Sequence, residues 1–327
     1  MKAIQLSQYG GPEVLKLVEL DKPAPKENEV LLEIKAIGVN YADTARREGQ
    51  YVIPTPLPFV PGAEVAGIVT AVGEQVTKTK VGDKVVTLLS SKRATGYAEY
   101  TVAHESGLIP VPENVSFEQA CALPLQGLSA YHILKTMGRL EKDETVLIHA
   151  AAGGVGSLAV QLAKHFGAGN IIATASTEEK RTVAKQLGAD VTVNYTEENW
   201  YENVLEATEG KGVDVALEMA GGRIFNDTLL CLAPFGRVVI YGVASGEQSR
   251  FYPSSLMAKN QSVIGFFLPQ MMRKPALFQQ SLVELLQLVG TGKLKLTIGG
   301  TYPLEEASQV HEMLQGRKTI GKLILQP

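Results

Sequence analysis

Apolar and polar residues alternate along EVLLEIKAIGVN (29–40), and the alternation resumes in AEVAGIVTAVG (63–73), VGDKVVTLL (81–89) and YAEYTVAHESGLIPVP (97–112). A period of two predicts half-buried strands, and the cluster Pro54, Pro56, Pro58 and Pro61 marks one long loop between them. Several short strands with little helix predict a compact β barrel or rolled sheet. At Ser116 the period lengthens. SFEQACALPLQGLSAYHILKTMG is apolar at helical spacing, with Ser116 as N-cap and Gln119 completing a capping box.

A third rhythm follows. The continuous apolar runs TVLIHA (145–150), NIIATA (170–175), VTVNY (191–195), VDVALEM (213–219), GRVVIYG (236–242) and QSVIGFF (261–267) alternate with helical segments. Strands apolar on both faces, each followed by a helix, predict a parallel sheet covered on both sides, and six of them complete a doubly wound domain. The tail changes texture again, with a helix over 276–288, LKLTIGGTYP (294–303), a helix over 304–314 and a last strand GKLILQP (321–327). The expected fold is α/β: a β-rich domain made of residues 1–120 and 262–327, interrupted by a nucleotide-type domain over 121–261.

Composition narrows the function. A chain of 327 residues with 45% hydrophobic and 20% charged residues fits a two-domain globular protein. The net charge of -3 and the absence of long Lys/Arg runs argue against a nucleic-acid face or a polybasic membrane anchor. The start MKAIQLSQYGGPE does not read as a signal peptide, and no apolar run approaches the roughly 18 residues of a spanning helix. Cys121 and Cys231 lie far apart in apolar settings and read as buried thiols, which places the expected compartment in the cytosol.

The chemistry-bearing stretch is DETVLIHAAAGGVGSLAVQLAKHFGA (143–168). The apolar strand ends at Ala150, glycines fall at Gly153, Gly154 and Gly156, and Val155, Leu158, Ala159, Leu162, Ala163 and Phe166 then share one helix face. Glycines between a buried strand and a helix N-terminus let backbone N–H groups and the helix dipole meet a pyrophosphate. The pattern is A-x-x-G-x-x-G rather than the usual G-x-G-x-x-G of dinucleotide sites, and Lys164 lies too far past Gly156 to be a P-loop lysine. In an NAD site an acid ends the second strand and binds the ribose. Here that strand ends ATAST, with no acid before Glu178 and Glu179, while Ser176, Lys180 and Tyr195 stand nearby. That composition favours NADPH.

Residues 143–164 closely resemble the signature of the quinone oxidoreductase/ζ-crystallin family, within the medium-chain dehydrogenase/reductase superfamily. The likeness runs in order through VNYADTARREGQY, PGAEVAGIV, VGDKVV, ALPLQGLSAYHIL, YGVASG and QGRKTIGKLILQP. It implies a GroES-like catalytic domain around a Rossmann NADPH-binding domain. The zinc enzymes of the superfamily carry G-H-E where this chain has Gly62, Ala63 and Glu64, and LLSSKRATGYAEY holds no cysteine, so no zinc site is expected and Glu64 reads as structural. What remains is hydride transfer from a nicotinamide to an acceptor already electrophilic, a quinone or an enone.

By the same resemblance, Asn40 stands by the nicotinamide and the acceptor oxygen as a hydrogen-bond donor, Tyr41 and Tyr51 line the acceptor pocket, and Asp43 is structural. Gln126 and Ser129 approach the cofactor. Ala152, Gly153, Gly154 and Val155 meet its pyrophosphate, and Thr174 joins Ser176, Lys180 and Tyr195 in the cofactor set. Tyr241, Gly242 and Val243 close the crevice, Phe267 and Leu268 lie at the nicotinamide end, and Arg317 reaches the 2′-phosphate. His149 reads as a core histidine, and His104, His132, His165 and His311 form no pattern, so the proton after hydride transfer is expected from water or a ribose hydroxyl. The resemblance also implies a homodimer paired through QSVIGFF. Two other readings share this scaffold: an NADPH-dependent enone or enal reductase, and an NADPH-binding regulatory or structural protein with little turnover.

Overall fold

The computed structural model describes residues 1–90 and 95–327; residues 91–94, inside the cysteine-free LLSSKRATGYAEY, lie outside the described residues. Two compact units divide the chain: Met1–Leu125 with Pro269–Pro327, and Gln126–Leu268. The sequence reading set these borders at 120/121 and 261/262. The second border falls later because residues 262–265 are hydrogen-bonded into the sheet of the second unit.

The first unit opens with an antiparallel pair, β1 (Lys2–Gln5) and β2 (Lys16–Glu19). Then come β3 (Glu29–Val39), helix α1 (Tyr41–Arg47), β4 (Glu64–Val72), β5 (Lys84–Leu88), β6 (Tyr100–His104) and β7 (Ile109–Pro110). The alternation of β3 buries Val30, Leu32 and Ile34, and a register shift between Ile34 and Ala36 turns Ile37 inward as well. Helix α2 (Phe117–Cys121) begins with the expected capping box: Gln119 N donates to Ser116 Oγ at 3.2 Å and Ser116 N to Gln119 Oε1 at 3.0 Å.

The expected continuous helix breaks there. A π-turn over Leu123–Gly127 precedes α3 (Leu128–His132), and a second π-turn follows at Ile133–Met137. Pro124 has no N–H to give to the helix. In the widened turn the next N–H, of Leu125, leaves the helix ladder and donates to Glu64 Oε2 at 2.6 Å.

The second unit alternates as its sequence does: β8 (Thr145–Ile148), α4 (Gly154–His165), β9 (Asn170–Ala175), α5 (Glu178–Gln186), β10 (Val191–Asn194), α6 (Trp200–Ala207), β11 (Val213–Glu218), α7 (Gly222–Leu230), β12 (Leu232–Ile240) and β13 (Ser262–Gly265). All six strands are parallel, in the order β10-β9-β8-β11-β12-β13. Leu147, Ile172, Trp200, Phe225 and Val238 fill its core. Strand order reverses between β8 and β11, and in such sheets ligands bind beyond the carboxyl ends at that point.

The chain returns through α8 (Leu268–Met271), α9 (Pro275–Gly290), β14 (Ile298–Pro303), α10 (Ala307–Gln315) and β15 (Lys322–Gln326). β14 and β15 complete a seven-stranded sheet, ordered β14-β15-β3-β4-β5-β7 with β6 also paired to β3. Leu323 lies opposite Val39 and Ile324 opposite Gly38, while Gly38 lies opposite Glu64. Those registers bring the last strand, the end of β3 and the start of β4 to one place.

Candidate active site

In the first unit, that place is a buried polar cluster. Asn40, Glu64 and Lys322 are each at most 2% exposed. Lys322 Nζ donates to Asn40 Oδ1 at 2.8 Å and is paired with Glu64 Oε1. Asn40 Nδ2 donates to Glu64 Oε1 at 2.8 Å and to Gly38 O at 3.3 Å. An ammonium can only donate, so the Asn40 atom facing it must be the oxygen, and the amide orientation follows. The carboxylate takes donors at both oxygens, with Leu125 N on Oε2, which offsets the cost of burying its charge. Gly38 leaves room for this arrangement, because a Cβ there would overlap the Glu64 carboxyl.

Asn40 was expected to offer its amide N–H to an acceptor; both N–H groups already have partners, Glu64 Oε1 at 2.8 Å and, more weakly, Gly38 O at 3.3 Å. Its backbone N–H donates to Asp43 Oδ2 at 2.9 Å, which fixes the start of α1. Burial pushes the Asp43 carboxyl up to about 6, with the Asn40 N–H and the Lys322 charge pulling the other way. Tyr41, the first residue of α1, is 42% exposed. Tyr51 is half-buried with the Arg46 guanidinium 4.2 Å from its ring centroid; burial raises its phenol and the Arg46 charge lowers it.

His311, which formed no pattern in sequence, joins this cluster. Its Nδ1 lies 3.3 Å from Arg47 NH1 and its Nε2 lies 3.0 Å from Tyr97 OH, which in turn donates to Asp43 Oδ2 at 3.4 Å. Burial first, then the Arg47 charge, holds His311 down to about 3, so the ring is neutral near pH 7. Arginine only donates, so Nδ1 accepts and Nε2 carries the hydrogen. Polarity therefore runs one way, from Arg47 through His311 and Tyr97 to Asp43. Tyr97 itself is raised well above the usual phenol range by burial and then by Asp43.

The second unit carries the glycine turn where the sequence put it. Gly153 is the N-cap of α4, and no side chain caps that helix. Ala150 takes φ +49 to enter the turn. At Gly156 a Cβ would press on Ala150 O and Ala151 Cα, both backbone, so this glycine sets the helix against the strand; at Gly153 a Cβ would meet only Ala150 O, at 3.1 Å. Gln126 packs its amide over Gly154. Among the described residues, Gln126 Oε1 and Glu218 Oε2 are the buried side-chain oxygens with no hydrogen-bond partner.

Glu218 ends β11 beside β8; its Oε1 accepts from Ala220 N at 2.7 Å and Gly221 N at 2.9 Å, and burial raises it. The uncapped helix, the open side of Gly153 and two buried acceptors fit a dinucleotide, whose phosphates need N–H donors and whose hydroxyls and amide need acceptors. Sequence reasoning did not single out Glu218; a lone acid at a strand end of the switch point was the signal available.

The remaining expected cofactor residues divide. Ala152 and Ser129 are buried; Ser176 and Tyr195 are half-buried just past β9 and β10, and Lys180 is half-buried in the first turn of α5. Arg181, one residue past Lys180, lies in the same region and donates to Glu178 Oε2 at 2.6 Å. Val155 is the second residue of α4; Tyr241 and Gly242 are half-buried, and Val243 is exposed. Phe267 is half-buried and Leu268 buried after β13.

Thr174 differs: it is fully buried, and its Oγ1 is committed to His149 Nδ1 at 2.9 Å rather than presented to a ligand. His149 is a core residue, bonded also to Thr228 Oγ1 at 2.8 Å and lowered by burial to about 4. Arg317 belongs to the first unit, after α10, with φ +54.

Residues 26–113 match the alcohol dehydrogenase GroES-like domain family, and residues 154–287 match the zinc-binding dehydrogenase family. The human quinone oxidoreductase is 36% identical over 327 residues, covering 99% of this chain and 97% of that one. The chain belongs to the quinone oxidoreductase family. Among solved structures of the family, the Escherichia coli quinone oxidoreductase complexed with NADPH superposes with TM-score 0.94 at 36% identity, covering all of both chains. The enzyme from Pseudomonas syringae pv. Tomato DC3000 gives 0.93 at 40% identity, covering 100% of this chain and 99% of that chain. The GroES-like and Rossmann assignments of the two units hold with it. The family is the zinc-free branch of the medium-chain dehydrogenase/reductases; among the described residues no three His, Cys, Asp or Glu side chains gather as a metal site.

Proposed function

We infer that this chain is an NADPH-dependent quinone reductase that transfers a hydride directly, without metal or flavin. The observation that carries the reading is the end-to-end likeness to quinone oxidoreductases, one of them solved with NADPH. NADPH, when bound, supplies the hydride.

The second unit holds it: the N–H groups at Gly154 and Val155 take the pyrophosphate, Gln126 and Glu218 accept its hydrogen-bond donors, and Gly242 and Leu268 belong to the same set. Preference for the 2′-phosphate rests on β9 ending without an acid, at Ala175, with Ser176 next, Lys180 and Arg181 in the first turn of α5, and Tyr195 after β10. In the first unit Asn40 offers the acceptor oxygen the N–H that it holds only weakly on Gly38 O, and Tyr41 and Tyr51 shape the acceptor side. Arg46, stacked on Tyr51, holds that ring in place.

β13 is an edge strand with half-buried Val263 and Ile264, which supports a homodimer formed by pairing two such edges. A monomer mass by light scattering at micromolar protein removes that part. Both cysteines are free and buried, which suits the reducing cytosol, and among the described residues no helix is long and apolar enough to cross a membrane.

The function is tested by following NADPH oxidation with a benzoquinone, a naphthoquinone and a simple enone in parallel. Faster turnover of the quinones supports the reading. Preference for the enone moves the chain to enone reduction on the same scaffold, and tight NADPH binding without turnover makes it a binding protein.

A further inference from the structure

Three charged or amide groups buried together need a reason beyond stability, since well-packed apolar side chains of similar volume often serve as well. In this cluster each partner limits another. Lys322 claims the oxygen of Asn40, which leaves only N–H groups for anything else the amide meets. Glu64 claims one of those N–H groups, and the other rests on Gly38 O at 3.3 Å, long enough to be shared with a second acceptor. Lys322 also pairs with Glu64, so the carboxylate beside Asn40 does not stand as a bare negative charge where an acceptor oxyanion develops. The register of β15 on β3 brings Lys322 to this spot, and the missing Cβ of Gly38 leaves space for the carboxyl.

We propose that Lys322 is a positioning residue for quinone reduction: together with Glu64 it locks the Asn40 amide in the orientation that presents N–H, and it cancels the carboxylate field at the acceptor oxygen. The proposal rests on the functional reading above, in which Asn40 donates to that oxygen. No atom of Lys322 is required to touch the acceptor. It acts through Asn40, and its removal must therefore show in the chemical step rather than in cofactor binding.

The test is a double-mutant comparison that keeps the buried charge balanced. Lys322→Met alone strands the Glu64 charge, so the informative variant is Lys322→Met combined with Glu64→Gln. This pair is expected to keep NADPH affinity within about threefold by fluorescence titration while kcat falls about 10- to 100-fold, the scale on which a misplaced oxyanion donor is felt. Asn40→Ala is then made in both backgrounds. If Lys322 works through Asn40, it lowers kcat strongly in the native background and little further in the double variant.

A double variant whose kcat stays within about twofold of the native chain overturns the proposal, as does an Asn40→Ala effect that is equal in the two backgrounds. Should the double variant fail to fold, Lys322→Leu with Glu64→Gln takes its place: it too leaves no buried charge and no donor on the Asn40 oxygen, and is expected to lower kcat about tenfold; a kcat near native overturns the proposal. A native chain that reduces no quinone removes the functional reading and this inference together. A native chain that turns over while the variants match it removes the inference alone.

Discussion

At the scale of single residues, Asp43 is where pH should act on the fold. Its carboxyl stands near 6 in the folded chain against an ordinary 3.8, because burial penalises the charge more than the Asn40 N–H and Lys322 relieve it. A raised acid binds its proton more tightly when folded, so the folded chain carries more protons than the unfolded one between about pH 4 and 6. Its contribution to stability is therefore present below that window and lost as pH rises through it, by about 2–3 kcal/mol at roughly 1.4 kcal/mol per unit. Asp43→Asn removes the titration. In urea unfolding the variant is expected to gain on the native chain by that amount between about pH 4 and about pH 7; a difference that does not change with pH counts against the assignment.

Little of this cluster is visible in the sequence. Asn40, Tyr41 and Asp43 are neighbours and enter through the motif they form. Lys322 lies 282 residues from Asn40, and only the register of β15 on β3 joins them. A lysine in the apolar strand GKLILQP was the one available sign. His311 reads as patternless because its partners, Arg47 and Tyr97, come from α1 and from the loop before β6, and packing of α10 unites them.

At the scale of elements, the turn between β8 and α4 does two separable jobs. Gly156 lets the helix sit on the strand, since a Cβ there meets backbone that cannot move aside. Gly156→Ala is expected to cost about 1–3 kcal/mol in thermal or urea unfolding. Gly153 faces open space apart from one carbonyl at 3.1 Å, so Gly153→Ala should leave unfolding within about 1 kcal/mol of native. It should nonetheless weaken NADPH about tenfold or more, because in the proposed site the new methyl stands where the phosphates approach. Equal effects of the two substitutions on stability would contradict this division.

The six strands and their helices are legible because buried parallel strands give unbroken apolar runs that no other element of this length gives. The π-turns at Leu123–Gly127 and Ile133–Met137 are not, since apolar spacing hardly distinguishes a helix from one that widens by a residue. Pro124 was the sign of a break. The antiparallel pair β1 and β2 also escaped the pattern, being short and mostly exposed on β2.

At the scale of the whole molecule, each unit carries its own set of polar features. One presents uncapped N–H groups and orphaned acceptors that suit a dinucleotide; the other holds an amide between a lysine and a glutamate. The order of textures along the chain was enough to expect an interrupted β-rich domain, because the tail returns to short alternating strands. The borders were less legible: residues 262–265 look alike whether they close the parallel sheet or begin the tail, and only hydrogen bonding to β12 decides.

The most direct test of the account follows oxidation of NADPH, deuterated at its transferable position, by a benzoquinone in metal-depleted buffer with a chelator, with NADH alongside. The account predicts turnover unaffected by the chelator, slowed by deuterium on one face of the nicotinamide, and faster with NADPH than with NADH. Turnover that the chelator abolishes, or that favours NADH, would contradict it.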